Sequence, residues 1–151
     1  MNTTQPCTDC PRQCHVVRPL TSDGICPDLP GYCHSPLQPV LARAALHFWE
    51  EPCISGSRGS GTVFFSSCNL RCCFCQNSQI SMDGKGIPIT VSRLRAIYHE
   101  LIAQGAHNIN LVTPTPYTRA ILESLSEPLP VPVVYNCGGY ERVETNRAFE
   151  G

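Results

Sequence analysis

Apolar positions recur at helical spacing over residues 90–104. Val91, Leu94, Ile97, Tyr98, Leu101 and Ile102 share one 3.6-residue face, and Gly105 stands where a terminating glycine belongs. Before this helix, residues 61–66 (Gly-Thr-Val-Phe-Phe-Ser) read as a buried strand, with β-branched and aromatic residues following a glycine. After it come a second strand over 109–113, a helix over 116–125 that starts on Pro116, and a third strand over 131–136. A third helix begins within 141–149. Strands separated by amphipathic helices predict right-handed βαβ units. The expected fold class is therefore α/β: a partial (β/α) barrel with parallel strands, preceded by a Cys/Pro-rich irregular segment. Residues 40–49 fit two patterns. Leu41, Ala44, Ala45 and Phe48 suit a helix face, and a hairpin before Pro52 suits them as well.

Composition divides the chain at about residue 60. Residues 1–60 hold many of the 14 prolines together with Cys7, Cys10, Cys14, Cys26 and Cys33, and have too few apolar residues to pack alone. Residues 61–151 carry the regular pattern, three βα units where a full barrel needs about 250 residues, so the barrel is expected to be truncated. With a net charge of −1, the chain has no electrostatic footprint for nucleic acid. No apolar run approaches the ~20 residues of a membrane span, and the polar N-terminus carries no leader pattern, so no membrane association and a cytoplasmic location are expected.

Cysteine changes the picture. Eleven cysteines cannot all pair internally, and in a reducing compartment closely spaced thiols point to metal rather than disulfides. Cys68, Cys72 and Cys75, with three and then two intervening residues, directly follow the first strand. That places them at the strand's C-terminal end, where α/β folds hold their chemistry. Three thiolates on a four-iron cluster leave one iron open, whereas a structural zinc site closes on four ligands. Cys73 adjoins Cys72, so its side chain diverges and it is read as a non-ligand. A zinc site completed by Cys53 or Cys73, or plain buried cysteines, are the alternatives. In the N-terminal segment, Cys7, Cys10, Cys14 and Cys26 offer a four-thiolate site for zinc or a second iron–sulfur cluster, which would stabilise a coreless segment. Cys33, His15 and His34 stand ready to replace any one of them, and unligated thiols or disulfides are the competing readings.

The Cys68-x-x-x-Cys72-x-x-Cys75 motif, with Phe74 before its last cysteine, resembles the radical S-adenosylmethionine (SAM) superfamily. The stretch Ala44-Ala45-Leu46-His47-Phe48-Trp49-Glu50-Glu51-Pro52-Cys53-Ile54-Ser55-Gly56, with Gln76-Asn77 after the triad, is similar to the pyruvate formate-lyase activating enzyme homologues. The likeness runs from about Cys7 to Gly151 and corresponds to the N-terminal half of such enzymes. It implies a 4Fe-4S cluster on the triad and SAM as cofactor, cleaved reductively to a 5′-deoxyadenosyl radical. It also implies an electron donor such as flavodoxin or ferredoxin, and a protein substrate, a glycyl-radical enzyme among the candidates. Phe74, Thr113, Thr115, Asn136 and Gly138 are the SAM-contact candidates this resemblance suggests. Thr113-Pro114-Thr115-Pro116 departs from the Gly-Gly-Glu type motif of similar enzymes, while Gly138 and Gly139 would let backbone approach a ligand closely. Two other functional classes stay open: a catalytically incomplete cluster-binding protein that needs a second chain, and a zinc-ribbon-like binding module.

Overall fold

The computed structural model describes residues 4–21 and 28–150. Its elements in chain order are β1 (Val40–His47), the short α1 (Pro52–Ser55), β2 (Ser60–Phe65), the short α2 (Ser78–Ser81), β3 (Ile87–Pro88), α3 (Val91–Ala103), β4 (Ile109–Val112), α4 (Thr118–Ser124), β5 (Val133–Asn136) and α5 (Val143–Arg147). A single 3₁₀ turn, Thr115–Tyr117, leads into α4.

The five strands form one open, mixed sheet in the order β3-β1-β2-β4-β5. This corrects the expected partial (β/α) barrel with parallel strands. β1 runs antiparallel to β2, with Leu41 opposite Phe65 and His47 opposite Ser60, and β3 pairs antiparallel on the other side of β1. Only β2, β4 and β5 run parallel to one another. The physical reason lies in the segment that suited both helix and hairpin. Its alanine-rich stretch has no strong strand preference, but its pairing with β2 overrides local propensity. The return to β2 needs no crossover helix. Gly59, at φ +81°, makes the last bend, and a Cβ there would lie 2.8 Å from the Phe48 ring.

The helices obey their patterns more closely. α3 packs Leu94, Ile97, Tyr98 and Leu101 onto Val63, Phe65, Ile109 and Leu111 of the sheet, and Tyr117 and Ile121 complete this core. Val40 and Leu41 of β1 belong to the same core, so the Cys/Pro-rich region contributes to it directly. Thr90 caps α3 by accepting a hydrogen bond from the Arg93 amide at 3.1 Å, and Gly105 at φ +104° turns the chain away at the other end. Replacing this cap, Thr90→Ala, is expected to lower stability by about 1 kcal/mol. A urea unfolding midpoint unchanged from the parent would refute the cap's role.

Because β2, β4 and β5 are parallel, their C-terminal ends lie along one edge of the sheet. Three loops meet there: residues 66–77 after β2, 113–114 before the 3₁₀ turn, and 137–142 before α5. Among the described residues, no helix is long and apolar enough to cross a membrane.

Candidate metal centre

The loop after β2 carries the cysteine triad and is held by its buried neighbours. The Ser66 amide donates to the Val40 carbonyl at 2.9 Å, and the Ser67 amide donates to Ile80 of α2 at 2.9 Å. Ser66, Ser67 and Asn69 are buried. Ser67 and Arg71 adopt left-handed backbone conformations, φ +77° and +55°. Non-glycine residues hold such geometry only where surroundings over-determine it, and these sites cluster at ligand clamps.

Within this frame Cys68, Cys72 and Cys75 are half-buried, and Cys73 is exposed. The Cys68 sulfur accepts the Leu70 amide at 3.3 Å, and the Cys75 sulfur lies 3.3 Å from the Ser81 hydroxyl. A turn closed by the Cys75 amide on the Cys72 carbonyl, at 3.1 Å, brings these two cysteines onto one bend. Among the described residues, no three Cys, His, Asp or Glu side chains stand at the distances that hold a single metal ion. The loop offers three soft thiols, the donor type of iron–sulfur clusters and other soft metals, with an N–H aimed at one sulfur. Phe74 is 83% exposed beside them.

The neighbouring loops carry the other candidates. Thr113 is left-handed at φ +59°, and its amide donates to the Asn136 carbonyl at 2.9 Å, tying the ends of β4 and β5 together. Thr115 is buried. Its hydroxyl donates to Glu141 at 2.8 Å and accepts from Tyr135 at 3.3 Å. Burial pushes the Tyr135 hydroxyl up to about 12, so it remains a proton donor in this chain of hydrogen bonds. Thr115 thus links the 3₁₀ turn, β5 and the loop before α5. Asn136 and Gly138 are exposed, and a Cβ on Gly138 would collide with the Leu70 side chain of the triad loop. Asn69 Nδ2 donates to the Tyr140 carbonyl at 2.8 Å across the same seam. Asn136 and Gly138 therefore stand in a loop that directly abuts the triad loop.

The N-terminal segment reaches this edge too. Arg12 donates through Nε to the Asn69 carbonyl at 2.6 Å, and its guanidinium sits 3.3 Å over the Tyr32 ring, with Tyr140 at 5.5 Å. Tyr32 donates to the Leu70 carbonyl at 3.2 Å, and Ser67 donates to the Cys33 carbonyl. Asp9 is buried between Arg18, at 2.6 Å, and Arg119, at 3.0 Å, while its carbonyl accepts from Thr145 of α5 at 2.7 Å. Cys7, Cys10, Cys14 and Cys33 are each half-buried. Burial pushes the thiols of Cys7 and Cys10 up, and Cys33 beside them adds to the rise in both, as does Cys14 for Cys10. Cys26 lies outside the described residues.

Several participants in this edge escape a reading of the chain. Arg12 and Asn69 are 57 positions apart, and no local pattern links them. Asn110 is another. It is fully buried in mid-β4 between the core residues Ile109 and Leu111, and neither of its amide atoms has a hydrogen-bond partner in the described structure. Strand alternation turns it to the sheet face opposite α3 and α4. Its signal was a lone polar residue in an apolar strand. A surface groove lined by Leu20, Ile87, Thr90 and Arg95 among others contains no cysteine among the described residues.

The chain is similar to an uncharacterized protein of the archaeon Methanocaldococcus jannaschii, 31% identical over 161 aligned positions. That alignment spans 99% of this chain but 44% of the archaeal protein, so the chain covers less than half of its relative's length. No protein-family profile and no solved structure matches it.

Proposed function

We propose that this chain is a radical SAM protein whose Cys68, Cys72 and Cys75 thiolates hold a 4Fe-4S cluster. The observation that carries this reading is the triad loop itself: three half-buried thiols, with the intervening Cys73 exposed, at the C-terminal edge of the parallel strands. When bound, the cluster supplies the electron that cleaves SAM to methionine and a 5′-deoxyadenosyl radical. The chain's own residues then bind and orient. The Leu70 amide stabilises the negative sulfur of Cys68, and the buried Ser66, Ser67 and Asn69 keep the loop in place. Asn136 and Gly138, on the adjoining loop, and Thr113, at the end of β4, are the groups next to which SAM would lie. Phe74 offers an exposed ring at the same rim. Thr115 acts through Glu141 and Tyr135 and is a positioning residue.

In this reading the electron comes from a small donor such as flavodoxin or ferredoxin, and the protein works in the cytoplasm, where thiols stay reduced. Its substrate would be a hydrogen donor on another macromolecule, a glycyl-radical protein being the type suggested by resemblance. Electron paramagnetic resonance of anaerobically reconstituted, dithionite-reduced protein tests the proposal. A cluster signal that changes shape when SAM is added is expected. A full cluster whose signal ignores SAM would remove the SAM part of the proposal. Failure to assemble any cluster on the triad would remove the whole.

A further inference from the structure

We propose, resting on the radical SAM reading above, that Asn110 is the residue that recognises the adenine edge of SAM, with its buried carboxamide as a paired donor and acceptor. Asn110 is fully buried, and among the described residues neither its Oδ1 nor its Nδ2 has a hydrogen-bond partner. Asn108, two residues earlier and on the same face, shows how a structural asparagine is used in this fold. Its Oδ1 accepts from the Ser60 hydroxyl at 2.6 Å, and its Nδ2 donates to the Ile54 carbonyl at 2.8 Å. Asn110 has no such compensation. A buried amide with donor and acceptor both unmet costs free energy, and an apolar side chain between Ile109 and Leu111 would avoid that cost. Its polar atoms therefore serve something other than the fold.

Strand register shows where this amide lies relative to the triad. Thr62, Asn110 and Val134 form one row across β2, β4 and β5. Phe64, Val112 and Asn136 form the next row toward the C-terminal edge. Both rows turn to the face opposite α3 and α4, because the alternating residues Val63, Phe65 and Leu111 belong to the helix-covered core. Exposure rises along the same direction. Thr62 and Asn110 are fully buried, Phe64 and Val112 are half-buried, and Asn136 is exposed. Asn110 is thus reached from the triad edge, once a single layer of side chains parts, and lies about 7 Å below the Asn136 row.

The amino-acid end of SAM belongs at the triad, so its nucleoside end is the part that can extend down this face. Two features there suit a purine. Phe64 carries an aromatic ring on which a base can stack. The Asn110 carboxamide can donate through Nδ2 and accept through Oδ1, the pairing that asparagine makes with N7 and the N6 amino group of adenine. Asn136, one row nearer the edge on the adjoining strand, continues the same polar line from Asn110 toward the triad loop.

The experiment compares SAM with its inosine counterpart, in which the N6 amino donor is replaced by a carbonyl oxygen. Each is titrated against the anaerobically reconstituted, dithionite-reduced full chain, and binding is read from the change in the cluster's electron paramagnetic resonance signal. The unsubstituted protein should bind SAM about tenfold or more tightly than the inosine compound. Asn110→Leu should keep a full cluster, weaken SAM by about the same factor and erase the preference between the two bases. A merely structural role for Asn110 would leave base preference unmoved. Equal affinity of the unsubstituted protein for both compounds would overturn the proposal without recourse to any variant. So would an Asn110→Leu chain that still prefers SAM, and in both cases the radical SAM reading stands. A full cluster in the unsubstituted protein whose signal ignores both compounds would overturn the proposal together with that reading.

Discussion

Cys68→Ala, Cys72→Ala and Cys75→Ala are each expected to abolish the triad cluster outright, while Cys73→Ala keeps it. The expectation rests on thiolate count. A four-iron cluster held by three cysteines has no spare protein ligand, so losing one leaves two irons without a thiolate. Neighbouring cysteines offer no ready substitute. Cys73 is exposed, on the same loop, and Cys53 and Cys137 are exposed on other segments. Iron and sulfide per chain, with the broad sulfur-to-iron absorbance, read the result after anaerobic reconstitution. Because other half-buried thiols lie in the N-terminal segment, the comparison belongs in a Cys7→Ala background as well as in the parent. A full cluster in any one of the three variants would show that the triad is not the ligand set. Loss in Cys73→Ala alone would point to the zinc alternative with Cys73 as a ligand.

The second large effect is expected at Asp9, away from any cluster atom. Asp9 and Arg18 are 9% and 4% exposed, and Arg119 shares the same carboxylate. Arg18 also donates to Ser35 and to the Pro116 carbonyl, so its guanidinium is fixed in place. Asp9→Ala therefore strands a buried charge, which typically costs about 3–5 kcal/mol. Guanidinium-chloride unfolding should show a much lower midpoint with an unchanged slope. The partner change matters for interpretation. Replacing Arg18 with methionine in the Asp9→Ala background should recover part of the loss, since the penalty arises from the unpaired charge. A loss below about 1 kcal/mol would mean that the network is as weak as an exposed ion pair. Asp9 sits between Cys7 and Cys10, and Arg119 additionally holds the Gln5 and Pro6 carbonyls. The same substitution should thus loosen the N-terminal thiols from α4.

These two sites differ in how far the chain alone reveals them. The triad loop is legible because its determinants are local. A run of β-branched and aromatic residues makes β2, three cysteines follow at once, and the loop must lie at that strand's C-terminal end. α3 is legible for the same reason. Its apolar face, its Thr90 cap and the Gly105 exit all act within a few residues of one another. The positions of β4 and β5 also follow from short apolar runs between helices.

What the chain left open was decided at long range. Residues 40–49 satisfy a helix face and a strand about equally, and only the place waiting beside β2 makes β1 a strand, antiparallel, in an open sheet. Strand direction is a property of the pair, so no single segment encodes it. The same holds for the seam that joins Arg12 to Asn69, Cys33 to Ser67 and Asp9 to Arg119. Arg12, Cys33 and Asp9 sit in a polar, proline-rich stretch with no period to read, and each contact exists because packing folds the N-terminal segment over the sheet edge. Local pattern determined the three helices α3, α4 and α5, three of the strands and the place of the cysteine triad. Tertiary structure alone decided the sheet's direction and how the N-terminal segment meets the triad loop, because those depend on contacts between residues far apart in the chain.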